Sequence, residues 1–364
     1  MLVTLVAVGD ISLQTHGDKN PFGSIKESFR DKDILFGNLE TVLAIHGKPR
    51  EKAVIMSTLP QRAAYLKEAG FDVVNIANNH ILDLGFEGFQ ETIRTLKQYG
   101  IMFIGAGANG IDRHYTIVEK KSLKIGFLGY TEGEQIISER GIFVNKISLP
   151  RILEDIKMLK KICDIIVVSL HWGIEKTFFP SPKQMVLARR LVDEGVKVVL
   201  GHHPHVIQGI EMYKDGLIAY SLGNFQFRFN PEECLRVPSK RTNESFVLKF
   251  YLTESCVQSY EVVPVEISKD WIPRIPAEEK QKEIRNFIKA VSASLEKVSI
   301  TEGWWFEQIA EEYLKENLRS FWLRIKRYGT RHLLQCLRWL VSPFCLKCYL
   351  GLVRRKFNDF LRKT

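Results

Sequence analysis

Residues that can bind a metal ion or transfer a proton recur along the first 205 positions of the chain, and each follows a short apolar run. Their side chains are carboxylates, carboxamides and imidazoles, with no thiolate among them. That combination suits borderline or hard divalent ions such as Mn, Zn or Fe. The candidates are Asp10, Glu40, Asn79 with His80, His171, and His203 with His205.

Each candidate, taken singly, also has an ordinary structural explanation. Asp10 and Glu40 could cap a helix or a turn, and His171 could be a hydrogen-bonded histidine of the core. The segment GHHPH at 201–205 is harder to explain in that way, because three neighbouring imidazoles would repel one another if charged. Neutral imidazole is a common metal ligand, so the candidates together favour a metal site.

The apolar runs that precede these residues predict buried strands, because they are short and rich in β-branched residues. The runs are LVTLVAV, DILFGNL, DVVNIA, IMFIG, KIGFLGY, DIIVVSL, VKVVLG and LIAYSL. Segments with helical spacing lie between several of them, namely LPQRAAYLKEAG, GFEGFQETIRTLKQYG, LPRILEDIKMLKKI and SPKQMVLARRLVDEG. Pro opens some of these segments and Gly closes most of them, as is typical of helix ends.

The alternation of strands and helices predicts an α/β domain with a largely parallel sheet. In an open parallel sheet the carboxyl ends of the strands line one edge, where ligands bind. The polar residues that follow five of the runs would therefore meet at that edge. Two further strands, FVLKFYLTE and SYEVVPVEI, complete the domain, so we expect one domain over 1–275 and a helical extension over 276–364.

The ordered motifs of the chain resemble those of the CapA family of bacterial capsule synthesis proteins. They are GD at 9–10, NLET at 38–41, ANNHILDLG at 77–85, HWGIE at 171–175, GHHPHVIQGIE at 201–211 and YSLGNFQF at 220–227. The resemblance spans residues 2 to about 265. It implies a metallophosphoesterase-like αββα sandwich, here followed by the helical extension, and a link to capsule or poly-γ-glutamate biosynthesis.

The resemblance also implies a role for each candidate, with Glu40 as a bridge between two ions. The remaining ligands would be Asn79, His171 and His203 on one ion, and Asp10 and His205 on the other. His80 would face the substrate as a general acid or transition-state donor, and Asp83 would orient it.

Two departures from the family pattern bear on this interpretation. The Asp-x-His of the first strand reads Asp10-Ile11-Ser12, and the bridging acid is Glu40 rather than an aspartate. We therefore expect one or two divalent ions, and a metal-dependent hydrolase of phosphoester or amide bonds. The alternative is a non-catalytic, membrane-associated component that holds an anionic polymer during capsule assembly.

The net charge of +10 belongs to the end of the chain, because residues 317–364 contain twelve Lys or Arg and one acid, Asp359. Apolar and basic residues alternate there at helical spacing, and Arg338, Pro343 and Lys347 interrupt the apolar stretch. This pattern favours helices lying on an anionic membrane surface over a spanning helix. The alternative is a helical hairpin packed on the α/β domain. Nucleic acid is disfavoured as a partner, because no nucleic-acid motif accompanies the charge.

The expected partners are thus an anionic polymer or a small phosphoester substrate, and an anionic membrane surface. The six cysteines are scattered, and the segment MLVTLVAVGD lacks the features of a signal peptide. We therefore expect a cytoplasmic protein, peripheral at the inner face of the membrane.

Overall fold

Two β-sheets face each other and helices cover their outer faces in the computed structural model, which describes residues 2–108, 115–132, 141–228, 241–297 and 300–361. Aliphatic and aromatic side chains of both sheets share one core between them. The rings of Phe36 and Phe127, one from each sheet, stack there with centroids 5.8 Å apart. The predicted α/β class, an αββα sandwich with a C-terminal helical extension, is confirmed.

Strands are numbered in chain order. The first sheet has a parallel centre, extended on one side by antiparallel strands. In spatial order it contains β18 (Pro273–Arg274), β17 (Val257–Ile267), β16 (Glu244–Leu252), β1 (Val3–Ile11), β2 (Ile34–Leu39), β5 (Val73–Asn75) and β6 (Met102–Ile104), with β15 (Asn224–Gln226) beside the end of β1.

The second sheet also has a parallel centre, with one antiparallel strand at each edge. In spatial order it contains β13 (Ile210–Tyr213), β14 (Gly216–Ala219), β12 (Val198–His202), β11 (Ile165–His171), β9 (Leu123–Thr131) and β8 (Tyr115–Lys120). Two small pairs complete the strands: β3 (Val42–Leu43) with β4 (Ser57–Thr58), and β7 (Ala106–Ala108) with β10 (Ile142–Val144).

All eight apolar runs form strands, and they are divided between two sheets, each with a parallel centre. Four runs form β1, β2, β5 and β6 of the first sheet, and four form β9, β11, β12 and β14 of the second. A continuous apolar run indicates that both faces of a strand are covered. The run does not indicate whether a sheet or a helix covers each face. Here each sheet is covered by the other sheet on one face and by helices on the opposite face.

The four helices of the sandwich coincide with the predicted helical segments. They are α1 (Ala63–Ala69, after a 3-10 turn at Pro60–Arg62), α2 (Gly85–Gln98), α3 (Leu149–Leu159) and α4 (Pro182–Asp193). Another 3-10 turn covers Lys26–Phe29. Ser181 begins α4 with a capping box, in which its hydroxyl and the side chain of Gln184 each bond the other's backbone N–H. Gly70 ends α1 in the left-handed region at φ +80°.

Four more helices form the C-terminal extension: α5 (Glu278–Lys297), α6 (Glu302–Tyr328), α7 (Arg331–Leu340) and α8 (Pro343–Leu361). Ile284 and Ile288 of α5 join the core between the sheets. Trp305 and Phe306 of α6 join the core outside the second sheet, so the extension packs on the sandwich. The boundary between 1–275 and 276–364 stays a prediction.

Over the described residues, no helix is by itself long and apolar enough to cross a membrane. Helices α7 and α8 reach the required length and hydropathy only as a pair, and their axes are bent by 54°.

Candidate metal centre

Parallel strands of both sheets end at one place, and the candidate residues lie there. Asp10 is near the end of β1, Glu40 directly follows β2, and His171 is the last residue of β11. From the sequence we expected these residues to meet at the edge of one sheet. The structure shows instead that they lie where the edges of two sheets meet. The structure brings together all eight predicted site residues, namely Asp10, Glu40, Asn79, His80, Asp83, His171, His203 and His205.

The carboxylate of Glu40 lies at the centre of this cluster and is fully buried. Its Oε1 is 3.5 Å from His171 Nε2, 3.8 Å from His205 Nε2 and 3.9 Å from His80 Nε2. Within the described residues, neither of its oxygens has a hydrogen-bond partner. A buried carboxylate without a donor is costly, and a cation would offset that cost. The residues present therefore fit a divalent metal ion.

Two groups of side chains could each hold an ion, and Glu40 belongs to both. One is Glu40 with His203 and His205, and the other is Asp10 with Glu40 and His171; within each, the ligand atoms lie within 4.8 Å of one another. This grouping differs from the allocation that the family resemblance implies. Asp10 Oδ2 is also 3.4 Å from His205 Nδ1, so the structure is compatible with both, and the individual ligand roles stay predictions.

Asp10 is held in place by donors from two parts of the chain. Asn38 Nδ2 donates to Oδ1 over 2.8 Å, and the backbone N–H of His203 donates to Oδ2 over 3.3 Å. Burial raises the pKa of Asp10, but the contacts with His202 and His205 outweigh burial and hold it well below its usual range. Asp10 is thus kept as an anion.

For Glu40, burial outweighs the contacts with neighbouring cations, so its pKa is shifted in the opposite direction to that of Asp10. Burial raises its pKa well above the usual range, and the carboxylates of Asp10 and Glu175 add to the effect, although His205 opposes it. The pKa values of two neighbouring carboxylates are therefore shifted in opposite directions, as is common at functional sites, and a cation beside Glu40 would favour its anionic form.

The two terminal histidines lie on a loop with an unusual backbone. His203 has φ +94° and His205 has φ +58°, in the left-handed region that side chains other than glycine rarely adopt. Such conformations cluster at binding sites, where the surrounding structure enforces them. Burial lowers the pKa of His203 to about 4, so this imidazole is neutral and available as a ligand. Burial also lowers the pKa of His205, but Glu40 and Asp10 raise it to about 10.

Asp83 and Lys52 lie on the side of the His80 ring that is opposite Glu40. Its Nδ1 is 2.6 Å from Asp83 Oδ2, and Lys52 Nζ donates to Asp83 Oδ1 over 2.7 Å. The opposite ring nitrogen, Nε2, is directed to Glu40. Burial lowers the pKa of His80, and Lys52 lowers it further against the opposing effect of Asp83. Asp83 thus contacts the ring of His80, and its role in orienting that ring stays a prediction.

Sequence reasoning missed three residues of the site. Asn38 contacts Asp10 and lies 3.3 Å from His171 Nδ1; its position two residues before Glu40, on the same face of an extended chain, was a usable signal. His202 stands 3.4 Å from Asp10 Oδ1, within the GHHPH segment. Lys52 lies in an irregular loop with no motif, and nothing in the sequence pointed to it.

Ser12 does not supply the ligand that the first-strand motif lacks. Its buried hydroxyl accepts hydrogen bonds from the backbone N–H groups of Gln14 and Arg228, over 3.4 and 3.2 Å. The histidine that the first-strand motif lacks in the sequence is thus not replaced by a Ser12 ligand in the site.

The fold and the cluster define an αββα protein whose buried carboxylates and imidazoles are compatible with divalent-metal binding. The chain belongs to the family of bacterial capsule synthesis proteins known as PGA_cap, whose sequence profile matches residues 4–228.

Relatives in other bacteria agree with this assignment. The capsule biosynthesis protein CapA of Bacillus anthracis is 31% identical over 287 residues, which cover 73% of this chain and 68% of the relative. The PGA biosynthesis protein CapA of Bacillus subtilis is 31% identical over 280 residues, covering 71% and 70%. A probable polyglutamine synthesis accessory protein of Mycobacterium tuberculosis is 29% identical over 208 residues, covering 53% and 55%.

Solved structures are similar at the level of the backbone only. The 5'-nucleotidase of Candida albicans aligns with 81% of this chain and 58% of its own, at a TM-score of 0.45 and 14% identity. The Thermus thermophilus sulfate thiohydrolase SoxB aligns with 79% and 47%, at a TM-score of 0.42 and 12% identity.

Proposed function

We propose that this protein is a metal-dependent hydrolase that cleaves a phosphoester or amide bond during the biosynthesis of a capsule or poly-γ-glutamate polymer. The observation that carries the proposal is the carboxylate of Glu40, fully buried, without a hydrogen-bond donor, and ringed by imidazoles. A protein of this kind gains stability and reactivity together when a cation occupies the cluster.

The metal would be held by the residues of the two ligand groups, with Glu40 shared between them. Asn79 would contribute its side-chain oxygen, which lies 3.1 Å from His171 Nε2. When bound, a divalent ion supplies Lewis-acid chemistry and helps to generate a nucleophile from water at neutral pH. Mn, Zn and Fe all suit this ligand set, and one or two ions are compatible with it.

His80 is the residue proposed to exchange a proton with the substrate. With Nδ1–H donating to Asp83, the Nε2 atom faces the cluster and can accept a proton, or donate one after protonation. Lys52 fixes Asp83, and Met56 N–H donates to the other carboxylate oxygen over 2.7 Å. The imidazole is therefore oriented before the substrate arrives, which favours proton transfer.

The substrate class follows from the family and the relatives. Relatives that are 31% identical to this chain are named for capsule and PGA biosynthesis, and a polyglutamate polymer is anionic. We therefore propose an anionic polymer, or a small phosphoester derived from its synthesis, as the substrate.

A second function, that of a non-catalytic polymer-binding component of capsule assembly, is favoured by one observation. Ser12 stands where the phosphoesterase motif has a histidine, and its hydroxyl bonds to the backbone. A weakened metal position could leave binding intact while removing catalysis. One relative is also named as an accessory protein.

Metal content per chain, measured by elemental analysis, tests the first proposal. We expect one to two equivalents in the wild type, and a loss in His203→Ala and Asp10→Ala. His46→Ala is the matched control, because His46 is exposed and outside the cluster. A wild type without divalent metal, after purification in metal-supplemented buffer, would contradict the proposal.

Turnover separates the two functions. Wild type and His80→Ala would be assayed on bis-p-nitrophenyl phosphate and on poly-γ-glutamate. Loss of a general acid or base typically costs about 10² to 10⁴-fold in rate, and we expect a decrease of that size while metal content is retained. Metal-loaded protein that binds poly-γ-glutamate and cleaves neither substrate would support the binding component instead.

A further inference from the structure

Helix α8 has a second apolar face that no part of the described structure covers. One face packs inward: Cys345 and Cys348 are fully buried, and Gly351 lies so close to α6 that a Cβ there would be 2.6 Å from the carbonyl oxygen of Phe306. The exposed stripe consists of five large apolar side chains, 51% to 65% exposed, namely Leu346, Leu350, Val353, Phe357 and Phe360.

The spacing of the stripe places it on one side of the helix. Its residues follow one another at intervals of four, three, four and three, which keeps them on a single face of an α-helix. The stripe extends about 21 Å along the helix axis, at a rise of about 1.5 Å per residue. Helix α7 continues the pattern, because Leu333, Leu334, Leu337 and Val341 are exposed while Cys336 is buried.

Exposed apolar side chains are concentrated in this part of the molecule. Of the 21 large ones in the described residues, twelve lie after residue 317. Single exposed apolar residues are normal, whereas a contiguous group marks an interaction surface.

Basic side chains flank the stripe on both sides. Rotation by about 100° per residue puts Lys347, which is ion-paired with Glu302 of α6 over 2.7 Å, and Arg354 on one side of it and Lys356 on the other. Over 331–361 the chain has six Lys or Arg and one acid, Asp359. We call the stripe, the exposed apolar residues of α7 and these three bases the docking face.

The chemistry of the docking face selects its partner. An anionic polymer would match the bases but would leave the apolar side chains in water. A second copy of the chain would cover the stripe but would bring the basic flanks of two molecules together. A bilayer with anionic headgroups satisfies both, because hydrocarbon covers the stripe and phosphates lie beside the bases. We propose that this face docks α7 and α8 in the interfacial region of an anionic membrane.

Docking would bring the candidate metal centre close to the bilayer. The hydroxyl of Tyr328, three residues before α7, donates to the carbonyl oxygens of Arg50 and Lys52 over 3.4 and 3.3 Å. Arg331, the first residue of α7, forms an ion pair with Glu51. The loop at 50–52, which carries Lys52 to His80 and Asp83, is therefore also the loop that the docking helices contact.

Flotation of the full-length protein with lipid vesicles tests this inference. Vesicles of phosphatidylcholine alone would be compared with vesicles of phosphatidylcholine and phosphatidylglycerol. We expect the wild type to float with the anionic vesicles, at least tenfold more than with the neutral ones. The triple variant Leu350→Glu, Val353→Glu, Phe357→Glu should lose at least tenfold in partitioning, and Arg354→Gln with Lys356→Gln should lose the preference for anionic lipid.

A matched control separates the docking face from a general effect of added acids. Ile162→Glu, Val186→Glu, Met212→Glu changes three exposed apolar residues of the sandwich by the same charge, and should float like the wild type. Circular dichroism and metal content would verify that each variant folds.

Several outcomes would overturn the proposal. They are a folded stripe variant that floats like the wild type, a wild type that floats with neither vesicle, and retention of the wild type after alkaline carbonate extraction, which indicates insertion rather than docking. A wild-type dimer that the stripe variant converts to monomers, without vesicle binding, would assign the face to a second copy.

Discussion

The metal-centre end of the sandwich and the docking face of the extension depart in opposite ways from the usual distribution of side chains in a folded protein. At the metal centre, Asp10 and Glu40 are carboxylates with no exposure to solvent. On α8, Phe357 and Phe360 are aromatic side chains with 60% and 64% exposure. One region buries charge, and the other exposes hydrocarbon.

In both regions, the side chains that break the usual distribution indicate the chemistry of a binding partner. Under the two proposals above, the partner of the buried Glu40 carboxylate, which has no donor among the described residues, is a cation, and the partner of the exposed hydrocarbon beside bases is an anionic membrane surface. Elsewhere in the sandwich the same residue types are satisfied internally. Glu211, for example, is buried but accepts hydrogen bonds from Arg189 and Tyr220, over 2.9 Å in each case.

The largest effect is expected from a direct contrast between two buried carboxylates. Glu40→Gln should abolish metal binding and lower turnover by about 100-fold or more, about 2.7 kcal/mol of transition-state stabilisation, because both ligand groups lose the negative charge of their shared carboxylate. Glu211→Gln should retain metal and lower the free energy of unfolding, because it weakens a buried ion pair. Elemental analysis and thermal unfolding measure both. If Glu211→Gln also lost its metal, the contrast between partnered and unpartnered carboxylates would fail.

The next effect concerns the inner face of α8. Gly351→Leu should destabilise the protein by about 1 to 3 kcal/mol in urea unfolding, because the new side chain collides with the backbone of α6. Leu350→Ala, at the neighbouring exposed position, should change the free energy of unfolding by about 0.5 kcal/mol or less. Equal destabilisation by the two variants would show that the exposed stripe is covered within the protein itself.

A smaller effect is expected at the loop that the two regions share. Lys52→Met removes the donor to Asp83 and should lower turnover about tenfold, or about 1.4 kcal/mol, with metal content unchanged. Lys48→Met, at an exposed position of the same loop, should have the turnover of the wild type. Loss of metal from Lys52→Met would instead assign the lysine to the stability of the ligand set.

The smallest effect should come from the contact between the extension and the site. Tyr328→Phe removes two long hydrogen bonds to the 50–52 loop and should change turnover less than about threefold. Tyr349→Phe removes a hydrogen bond to Leu340 inside the extension and should leave turnover unchanged. A decrease for Tyr328→Phe of the size seen for Lys52→Met would mean that the extension governs the position of the lysine.

The sequence predicted the strands, the four sandwich helices and the cluster, because local signals determine each of them. The β-branched runs fix the strands, and polar residues at strand ends, such as Glu40 and His171, converge wherever parallel strands end together. Periodicity could not predict how the runs divide between two sheets. A strand that is covered by another sheet has the same apolar pattern as a strand that is covered by helices. The αββα arrangement came from the family resemblance.

Two features of the site and the extension depended on tertiary contacts. Lys52 reaches Asp83 across 31 positions of the chain, with no local motif to announce it. In α8, apolar residues surround most of the helix, so the sequence alone did not distinguish the face that packs on Phe306 from the exposed stripe. The cytoplasmic location, peripheral at the inner face of the membrane, stays a prediction.

The distribution of the ligands along the chain also has a consequence for how the protein matures. The residues of one cluster come from five separated stretches, and Asp10 and His203 are 193 positions apart in the chain. Chains emerge from the ribosome from the N-terminus at about 5 to 20 residues per second. The strand that carries Asp10 is therefore made many seconds before its partner histidines exist. On the proposal of a bound metal, loading would be a late event of biogenesis, and a chain that stops before His203 would lack part of the ligand set.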